Sequence, residues 1–451
     1  MQLELPRLLI GGTQSGCGKT TVTSAILQAF VDRGQTPAAF KCGPDYIDPM
    51  FHTEVIGAPS RNLDLFLCTP DTVRALLAKN GAGAPLAVIE GVMGYYDGVG
   101  GTTTQASACD LAVQTDTPSV LVLSVKGMSL SAAAVLRGFA EFAPNTVRGV
   151  ILNGVSEGMY AYYRDIIEQN TGLHVYGHLP HCPEAEIGSR HLGLITAGEI
   201  ADLKERLHRL AALAARTIDL DGLLALARSA SVLPYTPFAP QPICTPPVRI
   251  GLARDRAFCF YYADSLDLLR ALGAELIEFS PLHDRALPDG LHGLYLGGGY
   301  PELAREALGA NRTMCDSIAR AVRGSLPTIA ECGGFMYLQQ RIEEQPMVGV
   351  LPGAAHLEKR LQNFGYVTLT AQRDTLLCRT GQSIRAHEFH YSVSDDAGDA
   401  FRASKPLRAR EWSCIHATDT VFAGYPHLHL CANPDFAINF VRRCDAYRKG
   451  K

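Results

Sequence analysis

A strand-like run that dissolves into glycines and reopens on a lysine leaves a chain few folds to adopt. LLIGGTQSGCGKTT, residues 8–21, sets Gly12, Thr13, Gly16, Gly18, Lys19, Thr20 and Thr21 between an apolar segment and a helix-like one. Backbone N–H groups of such a loop cradle phosphates, the lysine reaches the terminal phosphates, and the Thr20 hydroxyl is placed to ligate Mg²⁺. The usual first glycine of the pattern would fall at position 13, but Thr13 stands there and Gly12 sits one place earlier. A merely structural turn does not explain the lysine and the two threonines, so the stretch predicts nucleotide binding.

A phosphate loop of this kind belongs to a parallel sheet wrapped by helices, and the alternation continues. PRLLIGG, PLAVIEG, SVLVLSV, RGVILNG and LHVYGHL are strand-like, with helical patterns between them. Prolines at 234, 237, 240, 242, 246 and 247 then read as an extended linker, because proline at that density suits neither a helix nor a central strand. The alternation restarts with VRIGLARD, AELIEFSP, GLYLGGG and PTIAECGG. The expected division is therefore an α/β nucleotide domain over 1–229, a linker over 230–246 and a second α/β domain over 247–451.

The bulk numbers exclude several classes. With 41 basic and 45 acidic residues the net charge is −4, which argues against nucleic acid or a membrane surface as partner. No run approaches the roughly 18 apolar residues of a membrane-spanning helix. MQLELPRLLIGG lacks the basic and apolar regions of a secretory signal. Thirteen scattered cysteines without a CxxC pair read as reduced thiols rather than a disulfide framework or zinc site, and a cytoplasmic enzyme is the expectation.

Carboxylates cluster around the loop. Glu90, ending LAVIE, occupies the position of a metal-organising acid. KCGPDYIDPMFH contributes Lys41, Asp45 and Asp48, and EGVMGYYDG contributes Asp97. Each acid alone is a common turn-former; as a set beside a phosphate loop they point to a phosphate and a second substrate. Asn153, closing RGVILN, either reads an adenine edge or caps a loop.

In the second half, PTIAECGGFMYLQQ puts Cys332 between an apolar run and a helix-like stretch, with a glycine pair behind it. A nucleophile on a sharp strand-to-helix turn needs such glycines, and a helix N-terminus behind it would favour the thiolate. GLYLGGGYPE offers oxyanion-hole N–H groups at Gly298 and Gly299, beside that of Gly333. For a base, GYPHLHL puts His427 and His429 on one face of a strand. HEFHYS carries His387 and His390 three apart around Glu388, which is not the four-residue spacing of a zinc helix.

Taken in order, GTQSGCGKTT, KCGPDYIDP, EGVMGYYDG, SRHLGL, AFCFYY, FSPL, GGGYPE, AECGG and HEFHYS resemble the glutamine-dependent cobyrinate a,c-diamide synthases of corrin biosynthesis over nearly the whole chain. The resemblance implies a dethiobiotin-synthetase-like ATP domain followed by a class I-like glutamine amidotransferase domain. It implies ATP, L-glutamine and a corrinoid tetrapyrrole as substrates with Mg²⁺ as cofactor, and it is compatible with a homodimer. Cys332 looks like the glutaminase nucleophile. The Tyr-x-His spacing of related glutaminases assigns the base to His427, which leaves His429 where those enzymes carry a glutamate. Asp45, Tyr46, Asp48 and Asp97, with Lys41, lie on loops similar to those that line the corrinoid site, and Thr20 and Glu90 match the metal ligands. A sheltered path for ammonia between the two sites is a further implication. Two rival readings keep their place: the same chemistry on hydrogenobyrinate or nickel-sirohydrochlorin, and a P-loop switch ATPase with a degenerate amidotransferase domain.

Overall fold

Residues 1–182 and 197–450 are described in a computed structural model; the SRHLGL motif at 189–194 lies outside them. The chain divides into two compact units, Met1–Phe238 and Ala239–Lys451, a division that falls inside the proline-rich stretch. Leu233–Pro234, within that stretch, pairs antiparallel with Gln2–Leu3, and the Met1 amino group donates to the Tyr235 carbonyl at 2.7 Å. Proline is tolerated there because this two-residue pairing lies outside the main sheet.

In the first unit, seven parallel strands run in the order Ser60–Leu63, Ala38–Cys42, Ala87–Glu90, Arg7–Gly12, Ser119–Ser124, Val147–Asn153 and His174–Leu179. Helices cover the sheet, so Arg7–Gly12 and Ala87–Glu90 are buried at every position, as the continuous apolar runs require. Val22, Ile26 and Phe30 of the Lys19–Asp32 helix pack with Leu210 and Ala214 of the Ala197–Thr217 helix in one core. Ligands of such sheets bind beyond the carboxyl ends of the strands. Those ends carry Gly12, Lys41, Glu90 and Asn153.

The second unit holds a parallel sheet ordered Ala274–Phe279, Val248–Ala253, Gly293–Leu296, Thr328–Glu331 and Val421–Gly424, with His416–Ala417 antiparallel at its edge. A second, mostly antiparallel sheet is built on a long hairpin, Ala354–Ala371 with Ser383–Ser394. Register shifts at Leu357/Gln362 and Gln362/Gly365 bend this hairpin, and its second strand pairs with His427–Leu428. All thirteen cysteines are free thiols, eleven of them buried. No helix among the described residues is long and apolar enough to cross a membrane.

Candidate active site

The phosphate loop is shaped by its glycines. Gly18 is left-handed at φ 95° and N-caps the Lys19–Asp32 helix; Gly16 is left-handed at φ 76°. Gly12, which replaces the glycine expected at position 13, meets a different demand. A Cβ there would come within 2.6 Å of Lys19 Cγ and Cδ, so its bare Cα lets the lysine stem fold back across the loop. Thr13 is held by the Val122 carbonyl through its N–H at 3.2 Å, and Thr21 is half-buried on the first helical turn. Asn153 Nδ2 donates to the Cys17 carbonyl at 3.0 Å, and a Cβ on Gly18 would strike it at 1.9 Å. The loop contact of Asn153 corresponds to the clamping role of its two readings, with one amide hydrogen engaged by the loop itself.

Behind the loop lies a buried charge network. Thr20 Oγ1 donates to Glu90 Oε1 at 2.6 Å, and Lys41 Nζ donates to the same oxygen at 2.9 Å and to Asp48 Oδ2 at 2.6 Å. Asp45 Oδ2 lies 3.9 Å from Lys41, while its Oδ1 accepts at 2.8 Å from the N–H of Ile47, the first residue of the short Ile47–Phe51 helix that follows Tyr46. Burial would raise the Glu90 carboxyl, but Lys41, His52 and Thr20 outweigh it and hold the group well below its ordinary value. Burial likewise opposes the Lys41 charge, yet Glu90, Asp48 and Asp45 hold that ammonium above its usual range. Lys19, also buried, is lowered, chiefly by desolvation.

His52 was not singled out from the sequence. Its Nε2 lies 3.2 Å from Glu90 Oε2, and it opens a π-helical turn, His52–Ile56, that continues the Ile47–Phe51 helix. Such turns break helical periodicity and often mark functional sites, so no regular spacing in the motif singles out the inward histidine. Asp97 stands apart from the network in its recorded contacts: its Oδ2 accepts from the Gly94 N–H at 2.8 Å within the loop after Glu90. Thr20 and Glu90 supply hard oxygens beside the phosphate loop, and among the described residues no cluster of three or more His, Cys, Asp or Glu forms a metal cage. That donor set fits Mg²⁺, which takes one or two protein oxygens and completes its shell with phosphate and water.

In the second unit Cys332 adopts φ 47°, ψ −101° between the Thr328–Glu331 strand and the Gly333–Leu338 helix. A non-glycine residue held there stores roughly 1–3 kcal/mol of strain, as nucleophile turns do. The two glycines behind it are required by packing. A Cβ on Gly334 would come within 2.2 Å of the Leu296 carbonyl, and one on Gly333 within 2.8 Å of Pro301 and 3.2 Å of the Gly299 nitrogen. A Cβ on Gly298 would strike His427 Cε1 at 2.4 Å. The Gly298–Gly299 loop thus adjoins both His427 and Gly333, the residue following Cys332.

The electrostatics differ from the sequence expectation. The helix behind Cys332 has only six residues, and burial, aided by Glu302, Glu388 and Glu331, pushes the thiol up, against a hydrogen bond from the Gly333 N–H. His427, fully enclosed and opposite His387 across the strand pair, is lowered to about 3 by burial and by His387 and His390. Burial thus disfavours both a thiolate at Cys332 and an imidazolium at His427, the reverse of what the helix N-terminus alone implies. His390 stacks on Tyr425 with ring centroids 3.9 Å apart and meets Glu388 Oε2 at 3.1 Å. His429 leaves the strand after Leu428 and packs against the Tyr262 ring, 4.7 Å between centroids; it is lowered to about 4, again by burial. Glu331, next to Cys332 and absent from the sequence-derived site, lies with Oε2 4.0 Å from His427 Nδ1.

Comparison with known proteins agrees with both halves. Residues 8–195 match the CobQ/CobB/MinD/ParA nucleotide binding domain, and residues 249–435 match the CobB/CobQ-like glutamine amidotransferase domain. A cobyrinate a,c-diamide synthase of Dehalococcoides mccartyi is 39% identical over 98% of this chain and 98% of its own length. Its counterpart from Salmonella typhimurium is 40% identical over 96% of this chain and 97% of its own.

Proposed function

This chain belongs to the cobyrinate a,c-diamide synthase family, an amidating ligase with a nucleotide-binding half and a glutamine amidotransferase half, and from that premise we propose the following division of labour. Cys332 Sγ attacks the side-chain amide carbon of glutamine. His427 takes the thiol proton and returns it to the departing nitrogen, so that ammonia leaves and a thioester remains for water to hydrolyse. N–H groups of Gly298, Gly299 and Gly333 are the candidate donors to the oxyanion. Because burial disfavours both charges of the ion pair, the glutaminase rests in an unarmed state.

In the first unit, a substrate carboxylate accepts the γ-phosphoryl group of ATP. The acyl phosphate then loses phosphate to ammonia, giving the amide. Lys19 and the loop N–H groups hold the phosphates, and Lys41, fixed by Glu90 and Asp48, supplies positive charge where the carboxylate and phosphoryl oxygens meet. Mg²⁺, held by Thr20 and Glu90, would neutralise the phosphate oxygens. Asp45, Tyr46, Asp48 and Asp97 are the candidate contacts to the corrinoid, whose a and c carboxylates are the proposed acceptors.

The observation that carries this reading is the strained turn at Cys332 beside the Gly298–His427 contact, in a chain whose other half is a phosphate-binding site. The test is amidation by Cys332→Ala with glutamine or ammonium as nitrogen source. Loss with glutamine and survival with ammonium is expected, and Lys19→Ala is expected to abolish both. Survival of the glutamine-supported rate in Cys332→Ala overturns the nucleophile assignment.

A further inference from the structure

The strand that delivers the nucleophile also ends in a carboxylate with a defined orientation. Glu331 is 1% exposed. Its Oε1 accepts from the Leu428 N–H at 3.3 Å, the residue next to His427, and the Tyr295 hydroxyl forms a second hydrogen bond to the same carboxyl group. With one oxygen on the backbone of the histidine strand, the other faces the imidazole, 4.0 Å from Nδ1. We propose that Glu331 is the positioning residue of the glutaminase, holding the His427 ring through Nδ1 so that Nε2 is the nitrogen that serves Cys332. The proposal rests on the reading of Cys332 and His427 given above.

Two further observations agree with it. The position two residues beyond His427, where the sequence pattern places an orienting group, holds His429, whose ring packs on Tyr262. A carboxylate arriving from the nucleophile strand does the same work from the other side. In the present conformation the 4.0 Å separation is longer than a hydrogen bond, and such contacts tighten when substrate is bound. Burial also pushes the Glu331 carboxyl up to about 8, so its charge develops as His427 takes up the thiol proton, and that developing charge is what the variants below remove or restore.

Glu331→Gln separates charge from shape, because the amide oxygen can still accept from Leu428 and Tyr295. With glutamine as nitrogen source, kcat is expected to fall by about 10²-fold, the scale of a misoriented catalytic group. KM for glutamine and the ammonium-supported rate are expected to stay near wild type. Glu331→Asp, which restores the charge on a shorter arm, is expected to recover part of the lost kcat. A Gln variant with wild-type glutamine-supported kcat overturns the inference. So does parallel loss with both nitrogen sources, the mark of a structural role. Cys332→Ala separates the two levels: if it abolishes glutamine use while Glu331→Gln is silent, only the inference fails, and if it leaves glutamine use intact, the underlying reading fails.

Discussion

Lys41 Nζ lies 2.9 Å from Glu90 Oε1, and both side chains are almost wholly shut away from solvent. Two strands next to each other in the sheet bring them together, with Lys41 directly opposite Glu90 in the register. A buried pair of this kind is costly to break from one side, because the survivor is left as an uncompensated charge. Lys41→Met is therefore expected to lower stability by about 3–5 kcal/mol. Lys41→Met/Glu90→Gln is expected to recover much of that loss, as followed by denaturant unfolding of the full chain. The pH dependence has a definite sign. Glu90 is held below its ordinary 4.5, so its contribution is in force above that pH and fades as pH falls through the lowered folded value. Lys41 is held above 10.5, so its contribution is intact below that pH and fades as pH rises through the raised folded value. Equal stability of Lys41→Met and wild type at pH 7 would show that the pair contributes nothing.

The unarmed state of the thiol makes its own prediction. With Cys332 raised and His427 lowered, iodoacetamide should alkylate Cys332 slowly at pH 7, at a rate that keeps rising above pH 9. Peptide mapping by mass spectrometry distinguishes Cys332 from the other twelve cysteines. Saturation of the rate below pH 8 would mean that a thiolate is already present and that burial does not govern the site.

These electrostatics mark where the sequence stops being legible. The phosphate loop, five strands of the first unit and the sharp strand-to-helix turn at Cys332 follow from local pattern, because each is written in consecutive residues. The short strands Ala38–Cys42 and Ser60–Leu63 do not stand out in KCGPDYIDP and its surroundings, although they carry Lys41 and form one side of the sheet. The pairing of His387 with His427 joins residues forty positions apart through a bulged hairpin, which no local periodicity encodes. The proximity of Glu331 to His427 depends on another long-range pairing, that of Thr328–Glu331 with Val421–Gly424. A helix N-terminus behind a cysteine argues for a thiolate in isolation; complete burial beside three carboxylates reverses the sign, and burial is a property of the folded unit.

Asn153 offers a clean choice between two roles for one residue. As a clamp, its amide fixes the Cys17 carbonyl and with it the left-handed Gly18 that starts the phosphate-binding helix, so its removal disturbs whatever the loop holds, regardless of the base attached. One net hydrogen bond is about 1 kcal/mol, or roughly a fivefold change in affinity. Asn153→Ala is accordingly expected to weaken ADP and GDP by the same factor of about five in calorimetric titration. If the side chain instead read the adenine edge, ADP alone would weaken and the preference over GDP would collapse. Equal loss identifies the clamp, because a phosphate loop distorted at Cys17 and Gly18 touches the one part that the two nucleotides share.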